Sequence, residues 1–194
     1  MSSFAWSDSV SEHPPVAVLL PGGRYPVEGP LLYWCAEMLA ESGWHVEAVR
    51  WDTTEQEPED PVSFVESAVA AAFAAAPSAS RRLIVAKSFG SFALPWAARN
   101  GVPGIWLTPI LTSDAVRAGL LAATAADVAI GGDADDLWPN EVADSTARLI
   151  TVSGANHALE LAGDWRSSVS LQADLFDQVA EHIQRLEVLS YTAR

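Results

Sequence analysis

The run Val16-Ala17-Val18-Leu19-Leu20 is apolar at every position and stops at Pro21-Gly22-Gly23. A strand with one wet face alternates apolar and polar residues, so an unbroken apolar run belongs to a strand covered on both faces, as in a parallel sheet. Trp44 to Trp51, Leu83 to Val85, Gly104 to Ile110, Asp127 to Ile130 and Arg148 to Val152 read as further strands. Helical segments fall between them. Pro30 to Ser42 places Leu31, Trp34, Cys35, Met38 and Leu39 on one face, with Gly43 as its stop. Asp52 to Asp60 is an acidic, Pro-containing loop; Asp60 is the N-cap and Pro61 the first residue of a helix running to Ala76. A helix after the Leu83 strand turns Phe92, Ala93, Trp96 and Ala97 inward, and Ser113 to Ala122 forms another. A last amphipathic helix over Ser168 to Leu189 carries Leu171, Leu175, Val179, Ile183 and Leu186 at helical spacing. This alternation predicts an α/β protein, a three-layer α/β/α sandwich on a mostly parallel sheet of about six strands. Residues 1–15 are expected to be a flexible N-terminal segment before a single domain over 16–194.

Charge and composition exclude several function classes. A formal net charge of -14 would repel phosphates, so neither nucleic acid nor an anionic membrane surface is an expected partner. The lone Cys35 rules out an intramolecular disulfide and a Cys-rich zinc site, and it fits a reducing cytoplasm. Met1 to Pro15 has no basic residue and no continuous apolar stretch, so it does not read as a secretory signal. The Ala-rich run from Ala68 to Ala76 is too short to span a bilayer.

Chemistry in a doubly wound sheet gathers at the carboxyl ends of the strands. After the Leu83 strand comes Ala86-Lys87-Ser88-Phe89-Gly90, a serine with a small residue two positions away on each side. A sharp strand-to-helix turn crowds both flanking positions, and only small side chains fit there. Two other serines have small flanks, but Ser78 lies in a linker after Pro77, and Ser153 is followed by Asn156 and His157 where a helix is needed. Ser88 alone has both strand and helix. The first strand ends in Gly22-Gly23 with Arg24 and Tyr25; the fifth ends in a turn bearing Asp133, Asp135 and Asp136; the sixth ends in Gly154-Ala155-Asn156-His157. A nucleophile, an acid and a base thus lie at one rim. His157 is the histidine so placed, since His13 is in the N-terminal segment, His45 opens a strand and His182 lies in the last helix. Turn chemistry is the other reading of the three aspartates, their oxygens bonding local N–H groups.

The order Ser, Asp, His, each after its own strand, resembles the α/β-hydrolase superfamily from about Val16 to the last helix. It is most similar to small capless bacterial hydrolases of the dienelactone-hydrolase-like kind, through Lys87-Ser88 and Gly154-Ala155-Asn156-His157-Ala158-Leu159-Glu160. The family's first two antiparallel strands have no expected counterpart here, and Thr108 to Asp127 has room for one helix in place of a cap. The family's acid pattern matches Gly132-Asp133-Ala134-Asp135-Asp136-Leu137-Trp138-Pro139 with Asp135 as the acid. The resemblance implies an oxyanion hole from the N–H of Phe89 and one from Gly23, with Arg24 next in line. Arg24, Tyr25, Pro109 and Trp138 are candidate substrate-binding residues, beside Lys87, Ile110 and Leu111.

These residues imply hydrolysis of a small acyl substrate, a carboxylic ester first, through an acyl-enzyme on a Ser88, His157, Asp135 triad, with no cofactor and no metal. Thioester, lactone or small-peptide amide cleavage uses the same triad. A non-catalytic interaction protein that kept the fold is the reading from another class.

Overall fold

The computed structural model describes residues 1–53, 58–139 and 144–192, with side chains as far as Leu186; residues 54–57 of the expected acidic loop lie outside the described residues. The unbroken apolar runs form the centre of a seven-stranded sheet. Its strands are β1 (Ser2–Ser7), β2 (Pro15–Leu20), β3 (His45–Arg50), β4 (Arg81–Lys87), β5 (Gly104–Leu107), β6 (Val128–Gly132) and β7 (Arg148–Val152), in the spatial order β1-β3-β2-β4-β5-β6-β7. All pairs are parallel except β1 with β3.

The sheet is the expected mostly parallel one; its one strand beyond the six expected, β1, lies in the N-terminal segment expected to be flexible. Ser2–Ser7 lies antiparallel along β3 and satisfies backbone groups that an edge strand would otherwise leave open. Phe4 and Trp6 turn onto one face, and the Trp6 Nε1–H donates to Glu37 Oε1 at 2.9 Å.

Helices α1 (Pro30–Glu41) and α5 (Trp165–Thr192) cover one face of the sheet; α2 (Pro61–Ala75), α3 (Leu94–Asn100) and α4 (Asp114–Leu121) cover the other. Strand alternation divides the core accordingly. Val16, Val18, Leu20, Ile84 and Ala86 face α2, α3 and α4, while Ala17, Leu19, Leu83 and Val85 face α1 and α5. Burying both sets removes the apolar strands from water, at about 25 cal/mol per Å² of apolar surface covered.

Local signals set the helix ends. Asp60 Oδ1 accepts the Ser63 N–H at 3.0 Å, with Pro61 at the first helical position. The last helix begins at Trp165, ahead of the expected Ser168, because Asp164 supplies the same cap to the Ser167 N–H at 3.1 Å. β5 stops at Leu107, short of the expected Ile110, because Thr108 turns into the left-handed region at φ 43°. Among the described residues no helix is long and apolar enough to cross a membrane. From β2 the chain crosses first to β3 on one side and later to β4 on the other. The rim crevice therefore opens above β2 and β4.

Candidate active site

Two chain segments meet at that crevice. β4 ends at Lys87, and Ser88 takes φ 50°, a conformation rare for any residue but glycine, before a 3-10 turn over Ser88–Ala93 leads into α3. The turn is possible because its neighbours are small. A Cβ at Gly90 would stand 2.8 Å from both the Cβ and the carbonyl oxygen of Leu20. Ala86, the first small residue of the elbow, lies inside the sheet in register with Leu20 and Trp106, and a methyl group fits there.

From the other side comes the turn after β2. The Gly22 N–H donates to the Tyr25 carbonyl at 2.8 Å, closing a tight turn against the elbow. A Cβ at Gly22 would lie 3.6 Å from that of Ser88. The Gly22 carbonyl accepts from Trp51 Nε1 at 3.1 Å, and the Gly23 carbonyl from Thr53 Oγ1 at 2.7 Å. In a trans peptide the N–H opposes the preceding C=O, so the Trp51 bond aims the Gly23 N–H away from Trp51.

His157 and Asp135 arrive from β7 and β6. His157 Nε2 is 2.8 Å from Ser88 Oγ, and Nδ1 is 2.7 Å from Asp135 Oδ2. A carboxylate can only accept, so Nδ1 carries the proton and Nε2 is left to accept from the Ser88 hydroxyl. Asp135 is buried, and its second oxygen accepts the Leu137 N–H at 3.0 Å. Asp133, the competing aspartate, does other work. It is exposed, and its Oδ1 accepts the Gly154 N–H at 2.5 Å, joining the β6 and β7 loops. Asp136 is exposed. Asn156 builds the turn that holds His157, its Oδ1 accepting from the Ala158 N–H at 2.8 Å and the Glu160 N–H at 3.1 Å.

Burial holds the His157 imidazole below its ordinary pKa of 6.5, and the Lys87 ammonium acts in the same direction; the hydrogen bond and charge of Asp135 oppose both. Burial also pushes Lys87 down to about 7 against the upward pull of Asp135.

The other expected site residues are spread more widely. Phe89, at the start of the 3-10 turn, has an N–H with no intrahelical acceptor, and its ring packs with Trp51, Phe64 and Phe92. Arg24 is exposed on the wall of a cavity of about 360 Å³ between the Gly22–Tyr25 turn and the end of β3, with Tyr25 and Trp51 beside it. Tyr25 also serves the frame, its hydroxyl accepting the Leu31 N–H at 2.8 Å. Pro109 is buried in the turn after Thr108. Trp138 corrects the expectation of a substrate contact: it is 4% exposed, packs on Gly131 and donates to Thr151 Oγ1 at 3.1 Å. Its bulk fills the space that the missing side chain of Gly131 leaves. Trp51, Thr53 and Thr108 were not among the expected residues, because each acts through a backbone or buried contact that strand spacing does not reveal.

No protein-family model matches the chain, and no curated protein matches it in sequence. Solved structures do. An α/β serine hydrolase without a lid from Xanthomonas campestris matches with a TM-score of 0.65 at 17% identity, over 93% of this chain and 86% of that one. An α/β serine hydrolase homologue from Coxiella burnetii matches at 0.68 and 17% identity, over 92% and 89%. A dienelactone hydrolase from Anabaena variabilis matches at 0.66 and 16%, over 94% and 98%. The chain therefore has the α/β-hydrolase fold. It has that fold in a lidless form, with the single helix α4 in the interval between β5 and β6.

Proposed function

We propose that this protein is a serine hydrolase that cleaves a small carboxylic ester through an acyl-enzyme. One observation carries the reading: the unbroken hydrogen-bond relay from Asp135 through His157 to Ser88, at 2.7 and 2.8 Å, with Ser88 raised on a backbone turn at φ 50°. In this mechanism Ser88 Oγ attacks the carbonyl carbon while His157 Nε2 takes its proton. The resulting imidazolium is stabilised by Asp135, and its Nε2 proton passes to the departing alcohol as the C–O bond breaks. Water, deprotonated by the same nitrogen, then attacks the acyl-enzyme and releases the acid and Ser88.

The negative oxygen formed in each step is held by the Phe89 N–H and the Gly23 N–H, whose peptide is oriented by the Trp51 bond to Gly22. Each such donor contributes about 3 kcal/mol to transition-state stabilisation. The cavity walled by Arg24 and Tyr25 takes the acyl or alcohol portion; Arg24 and Arg50 share its lining with Glu28 and Asp52. The buried Cys35 suits a reducing compartment, and we place the enzyme in the cytoplasm.

The test is a fluorophosphonate probe on wild type and Ser88→Ala, followed by a panel of p-nitrophenyl esters, thioesters and aminoacyl amides. Labelling of wild type, its loss in Ser88→Ala, and turnover of short esters are expected. Labelling that persists in Ser88→Ala moves the nucleophile elsewhere, and turnover confined to thioesters or amides changes the substrate class. Absence of both labelling and turnover favours a binding protein on this fold.

A further inference from the structure

Lys87, next to the elbow serine, follows Leu83 and Val85 onto the α1 and α5 side of the sheet and is 2% exposed. An ammonium is rarely taken so far from water without a purpose for it, because desolvation opposes the charge. Its partners define what it holds. Nζ donates to Thr108 Oγ1 at 2.5 Å and to the carbonyl oxygen of His157 at 2.9 Å, and lies 5.3 Å from the centre of the Tyr25 ring. Thr108, in turn, is tied to the sheet by its own N–H, which donates to the Ile130 carbonyl at 2.6 Å.

Backbone strain marks the same path. Among the described residues, the non-glycine residues with positive φ are Ser88, Thr108 and Leu159. Ser88 is the elbow, Leu159 lies in the turn bearing His157, and Thr108 is the residue whose hydroxyl meets Lys87. A β-branched residue in the left-handed region is costly and persists only where its surroundings impose it. Thr108 is thus held where its Oγ1 receives Lys87.

We propose that Lys87 is a positioning residue: its ammonium clamps the His157 main chain to the end of β5 through Thr108, and so sets the imidazole between Ser88 and Asp135. The proposal rests on the reading of Ser88 and His157 as a catalytic pair. It adds a second effect, because the clamp brings a positive charge beside the group that must become positive in the reaction. The titratable groups facing this pocket are Asp135 from the β6 loop, His157 from the β7 loop and Tyr25 from the turn after β2, with Glu160 and Cys35 acting on Tyr25. The Lys87 charge disfavours imidazolium, and Asp135 compensates it. Lys87, at about 7, is protonated through the range below 6.5 where His157 takes up its proton. Its charge is therefore present while His157 titrates, and falls away as pH rises past about 7.

The test compares wild type, Lys87→Met, which keeps the length but removes charge and donors, and Thr108→Val, which removes the hydroxyl but keeps the charge. Two quantities are measured: the rate of Ser88 labelling by a fluorophosphonate, and the His157 titration by NMR of histidine-labelled protein. A misplaced imidazole is expected to slow labelling about 10²-fold in Lys87→Met, and about 10-fold in Thr108→Val. The His157 pKa is expected to rise in Lys87→Met and to stay near the wild-type value in Thr108→Val. Labelling within about twofold of wild type in both variants, with an unmoved titration, overturns the clamp. If Lys87→Met does not fold, the Thr108→Val labelling rate decides alone. Wild type that does not label at Ser88 defeats the proposed function, while an unmoved His157 titration in Lys87→Met, in a wild type that does label, overturns the charge placed beside the imidazole.

Discussion

Replacing Asp135 by Asn tests the acid assignment because both carboxylate oxygens are committed. Oδ2 receives the His157 Nδ1–H at 2.7 Å and Oδ1 the Leu137 N–H at 3.0 Å. An amide of the same shape has one acceptor and one donor, so one of these bonds must fail. The Leu137 N–H is fixed in its turn and cannot change what it offers. The imidazole can, by moving its proton from Nδ1 to Nε2 and accepting from the amide. That tautomer presents an N–H to Ser88 and cannot take the serine proton. The expected loss is about 10⁴ in kcat, about 5.5 kcal/mol at 1.36 kcal/mol per tenfold. Asp133→Asn is the matched control, since its amide oxygen can still accept the Gly154 N–H. Its cost should be about 1 kcal/mol of stability and less than about tenfold in kcat. Both variants are compared by p-nitrophenyl ester turnover and by urea unfolding. If Asp133→Asn loses as much kcat as Asp135→Asn, or more, the acid has been misassigned.

Three other outcomes are expected. His157 must be neutral to act as base, and burial with the nearby Lys87 lowers its pKa, so the acid limb of kcat/KM should have its midpoint below 6.5; a midpoint above 6.5 refutes the electrostatics. The same shift has a stability sign: below pH 6.5 the unfolded chain binds the proton first, so Tm should fall with pH from there until the folded group also titrates. Ser88→Gly and Ser88→Ala should both be inactive, but glycine relieves the φ 50° turn and alanine does not. Glycine should therefore be the more stable by about 1 kcal/mol, about 2–4 °C in Tm, and equal melting temperatures would refute the strain. In Gly132→Ala the new Cβ would stand 1.9 Å from the Ala155 carbonyl oxygen, forcing apart the loops that carry Asp135 and His157. A destabilisation of about 1–3 kcal/mol with loss of ester turnover is expected; a fully active, equally stable variant would show that the loops are not held that way.

β1 carries only a weak strand pattern in its sequence. Ser2-Ser3-Phe4-Ala5-Trp6-Ser7 places its two aromatic residues two positions apart, the period of a half-covered strand. Its shortness and its serines made it resemble a tail. The unbroken runs of β2 and β4 were unambiguous by contrast, because a strand with both faces covered cannot tolerate polar residues in either register.

Trp138 and Asp133 show the opposite case, in which type and position were visible but role was not. Both stand on the rim turn after β6, beside Asp135; the family's pattern points to Asp135 as the acid, but residue order does not say what Asp133 and Trp138 touch. Distance decided it: Asp133 reaches the Gly154 N–H, Asp135 reaches His157, and Trp138 falls into the space over Gly131. Sequence alone determined the alternation of layers and the rim on which Ser88, Asp135 and His157 stand, because hydrophobic period and turn chemistry act between neighbours along the chain. Only the tertiary structure decided which groups touch, and with it the buried place of Lys87 between Thr108 and His157. Those contacts join residues 21 and 70 positions apart, and hydrogen bonds of that span depend on how the strands are ordered in space.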